Sequence, residues 1–198
     1  MASKIDALRK LSYAPTTEEH QGEFERQMEP GTSDRGACLL IAAQLENELE
    51  AAIASALPKM QSDVRREMFE QDGPLATFSR KISMAAALGI IGPKTRANFR
   101  IVRHVRNAFA HAKIPISFAT EEVADACGEL HMIDPLAPYS QQEYIYTHEG
   151  VRPLFNDVCG SMMLLLYAFT GASVSMASPS EGPERAKLFQ LTPKTSLP

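Results

Sequence analysis

Apolar side chains recur at every third or fourth position along most of the chain, which is the period of a helix rather than of a strand. Ile41, Leu45, Leu49, Ile53 and Leu57 mark one long stripe that begins after Ser33 and stops at Pro58. Thr32 or Ser33 can cap this helix, and Asp34 places a negative charge in its first turn, where the helix dipole favours one. A short helix is predicted near Asp63–Glu70, a turn at Asp72-Gly73-Pro74, and a helix from Thr77 to Leu88 that stops at Gly89. Pro93 suits a first helical position and opens a helix reaching His111, after which Pro115 forces a loop. Glu121–Leu130 and Val151–Ala177 read as two further helices, with a loop at 133–142 after the first. Tyr144–Thr147 has strand character but no evident partner. The pattern predicts an all-α bundle of about five to seven helices.

Composition then sets the organisation. Residues 1–31 read as a slightly acidic arm of short helices, 32–177 as the helical domain, and 178–198 as a disordered tail holding four of the 13 prolines. A chain of 198 residues that is 44% hydrophobic and 22% charged has the balance of a globular protein. Cys38, Cys127 and Cys159 are odd in number and far apart, so no disulfide framework is expected. With no apolar signal stretch near the N-terminus, the expected location is the cytoplasm. Val158–Ala177 carries no charge and has the length of a membrane span, but Gly160, Ser161, Thr170, Gly171, Ser173 and Ser175 interrupt it. It reads as a core helix, and no membrane partner is expected.

The net charge of −4 gives no overall attraction for nucleic acid. Residues 93–113 are the exception, because Lys94, Arg96, Arg100, Arg103, Arg106 and Lys113 occur there without one acid. At about 100° per residue, Arg96, Arg100, Arg103, His104, Asn107 and His111 share a polar arc, with Ile101, Val105, Ala108 and Ala112 opposite. Arg96, Arg100, Arg103 and His104 are therefore the candidate contacts for RNA or DNA phosphates. Arg106 falls between the directions of Phe99 and Val102 at the apolar edge, where a guanidinium needs a partner, with Glu46 or Glu50 of the first long helix as candidates.

Three blocks resemble the family of the mannitol operon repressor: S-D-R-G-A at 33–37, G-P-L-A-T-F-S-R-K-I at 73–82 with A-A-A-L-G-I-I at 85–91, and R-I-V-R-H-V-R-N-A-F-A-H at 100–111. The likeness spans roughly residues 33–130. That family is similar in turn to the HEPN helical domains, whose signature of Arg, a polar residue, three positions and His is matched by Arg106 to His111. The first resemblance implies a regulator of gene expression that binds a macromolecular partner, protein or nucleic acid, without catalysis. The second implies a metal-independent ribonuclease in which Arg106, Asn107 and His111 are the candidate catalytic residues. It also implies a homodimer, because the Arg and His of two HEPN subunits meet in a cleft.

Histidine suits the proton transfers of such a cleavage, and arginine suits the charge that develops on phosphate. Residues five apart nevertheless lie about 140° around a continuous helix. Arg106 and His111 converge only if the helix ends near Ala110 or if two subunits combine. Cys127 and His131 have half the spacing of a metal site if a helix reaches His131, but no second pair is near in sequence. His20 and His148 are isolated, and Met162 and Met163 read as core filling. No phosphate loop or dinucleotide fingerprint occurs, so no metal and no cofactor is expected.

Overall fold

The structure, a computed structural model, describes residues 33–70, 72–133 and 150–175, with side chains of the last helix as far as Gly171. Contacts divide the chain into Met1–Ser33 and Asp34–Pro198, and all the described helices belong to the second unit. The expected arm at 1–31, the strand at Tyr144–Thr147, the tail at 178–198, His20 and His148 lie outside the described residues.

Six helices occur among the described residues, which form an all-α bundle: α1 (Asp34–Ala56), α2 (Ser62–Phe69), α3 (Phe78–Ala87), α4 (Pro93–His111), α5 (Glu121–Gly128) and α6 (Val151–Ser175). The central member is α1, which packs on α6, α4 and α3. Its neighbours lie on several sides, so its buried positions, among them Cys38, Ile41, Leu45, Leu49 and Ile53, cover more than a single stripe.

Local chemistry sets the helix ends. Thr77 caps α3 by accepting the Arg80 amide, and Leu88 closes the helix. Gly89 follows at φ 71°, and the amides of Gly89 and Ile90 return to the carbonyls of Ala86 and Ala85. A left-handed residue with this pair of bonds is the usual glycine stop, and it turns the chain directly into Pro93 at the start of α4. Gly73 is required for a different reason. A Cβ there would press on the backbone oxygens of Glu67, Met68 (2.6 Å) and Glu70 (2.9 Å), where the chain leaves α2 and folds back toward α3.

The N-terminal end of α1 is fastened three ways. Asp34 accepts the Phe118 amide at 2.9 Å and pairs with Arg152 of α6 at 3.1 Å, while Arg35 donates to the Ala112 carbonyl at 3.0 Å. Asp34 thus does more than the first-turn role expected of it. Beneath these ties Phe118 stacks obliquely on Phe109 and on Phe155, both at 5.1 Å between ring centres.

The last helix has the length and hydropathy to cross a membrane over Val151–Gly171. Its buried side, with Phe155, Val158, Cys159, Met162, Leu166 and Phe169, faces the bundle, where α6 packs on α1, α5 and α4. The helix over 121–130 is shorter than expected: α5 stops at Gly128, so Cys127 and His131 do not share a helical face. Among the described residues no group of three or more His, Cys, Asp or Glu could hold a metal ion.

Burial pushes all three thiols up, Cys38 to about 12, Cys127 to about 11, and Cys159 well above the ordinary value. Because the thiolate is the reactive form, a disulfide reagent at mildly alkaline pH is expected to modify none of them in the native protein and all three once it is unfolded. Counting released chromophore before and after denaturant checks this.

Candidate functional site

Helix α4 carries the residues singled out by the sequence, and its buried side is not the one expected. Thr95, Asn98, Phe99, Val102, Val105 and Phe109 are buried, whereas Ala108 is exposed and Ile101 and Ala112 are half-buried. Relative to the arc of Ile101, Val105, Ala108 and Ala112, the buried face is turned by roughly 80°, close to one residue step. The two phenylalanines decide the orientation, since burying an aromatic ring gains far more than burying an alanine methyl. Phe99 meets Phe78 of α3 edge to face at 6.0 Å.

The turn leaves Arg106 half-buried beside α1. Its Nη2 lies 3.7 Å from Glu46 Oε2, and its Nη1 donates to Asn107 Oδ1 at 3.0 Å. Glu46 is the partner foreseen for it. Glu50, the other candidate, is instead held by Lys81 of α3 at 2.9 Å and by Arg65 of α2 at 3.5 Å. Lys81 also reaches Glu46 at 3.1 Å, so Glu46, Glu50, Lys81, Arg65 and Arg106 form one connected set of charges linking four helices. Lys81 is not among the residues singled out above. Its signal was available, as a lysine flanked in the heptad sense by Phe78, Ile82 and Ala85, on the apolar side of α3.

The three candidate catalytic residues are therefore not brought together within one chain. Arg106 and Asn107 are bonded to each other, while His111 is exposed in the last turn of α4. The early helix end that would have swung His111 toward Arg106 does not occur, because α4 runs unbroken through His111 and the Ala112 amide still bonds to the Ala108 carbonyl.

The other set does converge. Arg100, Arg103 and His104 line a cavity of about 320 Å³ with Ser79, Ile82 and Ser83 of α3, and Arg96 and Arg100 border a second cavity of about 300 Å³. Residues 73–120 contain eight Lys and Arg and no Asp or Glu. Of these cations Lys81 and Arg106 are paired with α1 and Arg80 donates to the Gly73 carbonyl at 3.1 Å. Lys94, Arg96, Arg100, Arg103 and Lys113 have no ion pair among the described residues. Arg103 Nη2 sits 2.9 Å from His104 Nε2. A guanidinium can only donate, so this ring accepts at Nε2 and carries its proton on Nδ1. Ser79 and Ser83 were not anticipated; only the packing of α3 on α4 places them here.

No protein-family model matches the chain, and no curated protein matches it. Among solved structures, one described as the MtlR–HPr complex from Escherichia coli is similar at 16% identity and a TM-score of 0.49, covering 79% of this chain and 98% of that one.

Proposed function

We propose that the protein is a cytoplasmic, non-catalytic regulator of gene expression that holds an anionic macromolecular partner on the α3–α4 face. The observation that carries this reading is the set of guanidinium groups at Arg96, Arg100 and Arg103, which have no carboxylate partner among the described residues although α4 is otherwise tightly packed. Such a field attracts a negatively charged surface within about a Debye length and fixes its approach. The three blocks shared with the mannitol repressor family give the regulatory part of the reading. Their other charged residues, Asp34, Arg35, Arg80, Lys81 and Arg106, serve the packing of the helices and loops, which leaves Arg100 and Arg103 of the α4 stripe as the charges of the blocks available to a partner.

The double reversal Arg100→Glu/Arg103→Glu should weaken partner binding strongly while leaving the thermal midpoint close to that of the parent. If the partner is RNA or DNA, the variant also loses salt dependence, by a slope of about 0.9 for each phosphate contact removed from duplex DNA. A mobility-shift titration at several salt concentrations distinguishes the nucleic acids, and an unshifted wild type leaves a protein partner.

The rival ribonuclease reading draws on the exposure of His111 at the end of α4, where a second subunit could meet it. Incubating the protein with mixed RNA in chelator tests it, with His111→Ala as the control; fragments ending in cyclic phosphate that vanish in the variant would replace the binding reading.

A dimer is proposed on either reading. Leu164 is 56% exposed, and with Ala168 and Gly171 it follows helical spacing along the exposed side of α6, next to Tyr167, whose hydroxyl donates to Glu48 of α1 at 3.1 Å. Light scattering is expected to give twice 21.7 kDa, and Leu164→Glu to return it to the monomer mass.

A further inference from the structure

The cleft between α3 and α4 has two unlike ends. At one, Ser79 and Ser83 stand four residues apart on α3, facing Arg100, Arg103 and His104 of α4 around the 320 Å³ cavity. At the other, Ala86, Ile91, Pro93 and Ala97 supply an apolar wall to the 300 Å³ cavity beside Arg96, and Arg100 borders both. Each volume lies at the lower end of the range that small-molecule sites occupy. The Nε atoms of Arg96 and Arg103 are buried and make no hydrogen bond. An N–H buried without an acceptor is costly, and a phosphoryl group bound at Arg103 would remove that cost at this one of the two.

We propose that this cleft is a small-molecule site for a phosphate monoester, with the phosphoryl group among Arg100, Arg103, Ser79 and Ser83 and the less polar body against Ala86, Ile91, Pro93 and Ala97. A terminal phosphate carries close to two charges and three free oxygens, which matches two guanidinium forks and the Ser79 hydroxyl, while Ser83 Oγ donates to the Ser79 carbonyl at 3.2 Å and must leave that bond to serve the ligand. A nucleic-acid backbone carries one charge per phosphate, whereas Arg100 and Arg103 come together at one cavity, beyond which the wall is mixed apolar side chains and Arg96. His104 steadies the site by taking one Arg103 N–H at 2.9 Å, so the guanidinium is held in place before the ligand arrives. The regulatory consequence rests on the proposed function: Arg100 and Arg103 serve both ligand and partner, so the two exclude each other and the phosphorylated compound releases the partner.

Calorimetric titration with phenyl phosphate, which has a phosphoryl end and an apolar ring, tests the site, with phenyl sulfate as the singly charged counterpart. Saturable binding at one site is expected, weakened about tenfold for the sulfate and about tenfold by Arg103→Gln, the scale of one lost charge-assisted contact. Arg100→Gln, at an exposed position, gives the same loss and serves if Arg103→Gln unfolds. No saturation with phenyl phosphate, equal affinity for the sulfate, or binding unchanged in both variants would overturn the inference, and a phosphoserine peptide binding more tightly than phenyl phosphate would overturn its small-molecule part. A wild type that regulates through the stripe but does not take phenyl phosphate defeats this inference alone. Phosphate binding in a protein whose stripe variants regulate normally defeats the proposed function alone.

Discussion

Replacing Lys81 by methionine is expected to destabilise the fold by about 3–5 kcal/mol, the scale for removing one partner from a buried ion pair. The Lys81 side chain is 7% exposed, and the carboxylates it joins, Glu50 and Glu46, are 8% and 15% exposed. Without the ammonium, two carboxylates one helical turn apart on α1 would repel each other in a region of low dielectric, with Arg65 and Arg106 at longer range as their remaining cations. Adding Glu46→Gln and Glu50→Gln to Lys81→Met should recover much of the loss, because charges buried together can be neutralised together at little cost. Urea midpoints of the single, double and triple variants measure this directly.

The same group predicts an alkaline limit. Burial pulls the Lys81 ammonium down, but Glu50 and Glu46 beside it outweigh burial and hold it above the ordinary value of 10.5. A lysine raised on folding contributes its stability in full below that ordinary value and loses it as pH climbs through the folded one. Stability should therefore begin to fall above about pH 10, and the part of that fall due to this group should be missing in Lys81→Met.

Asn98→Ala is expected to cost about 2–3 kcal/mol, since it removes two hydrogen bonds at about 0.5–1.5 kcal/mol each and leaves the space of a fully buried side chain. Asn98 is fully buried, donating from Nδ2 to the His131 carbonyl at 2.7 Å and accepting the His131 amide at Oδ1 at 2.8 Å. The paired bonds imitate a strand ladder and fasten the segment after α5 to the middle of α4. Loss of protection at the His131 amide in hydrogen exchange, before global unfolding, would locate the damage where the bonds place it.

These two residues show where the sequence stopped being readable. The helices, the glycine stop at Gly89 and the pairing of Arg106 with α1 follow from period, turn chemistry and the cost of an unpartnered guanidinium, all of them local properties. Asn98 looks like one more polar position on a polar helix, because its partner is a backbone 33 residues away that no side-chain pattern reveals. The orientation of α4 was misjudged because alanines were weighed equally with phenylalanines. In the candidate site Arg96, Arg100, Arg103 and His104 were legible as a stripe of one helix. Ser79 and Ser83 were not, since they join it only through the packing of α3 on α4, and the length of α4 removed the local route by which Arg106 and His111 would have met.

We hold that the stripe of α4 regulates and that the Arg106–His111 pair does not cleave. Transcript profiling of a strain lacking the protein, complemented in turn with the wild type, Arg100→Glu/Arg103→Glu and His111→Ala, tests it most directly. The stripe variant, at normal abundance, should reproduce the profile of the empty strain, and His111→Ala should reproduce the wild type. A stripe variant that behaves as wild type, alongside a His111→Ala strain that matches the deletion, would contradict it.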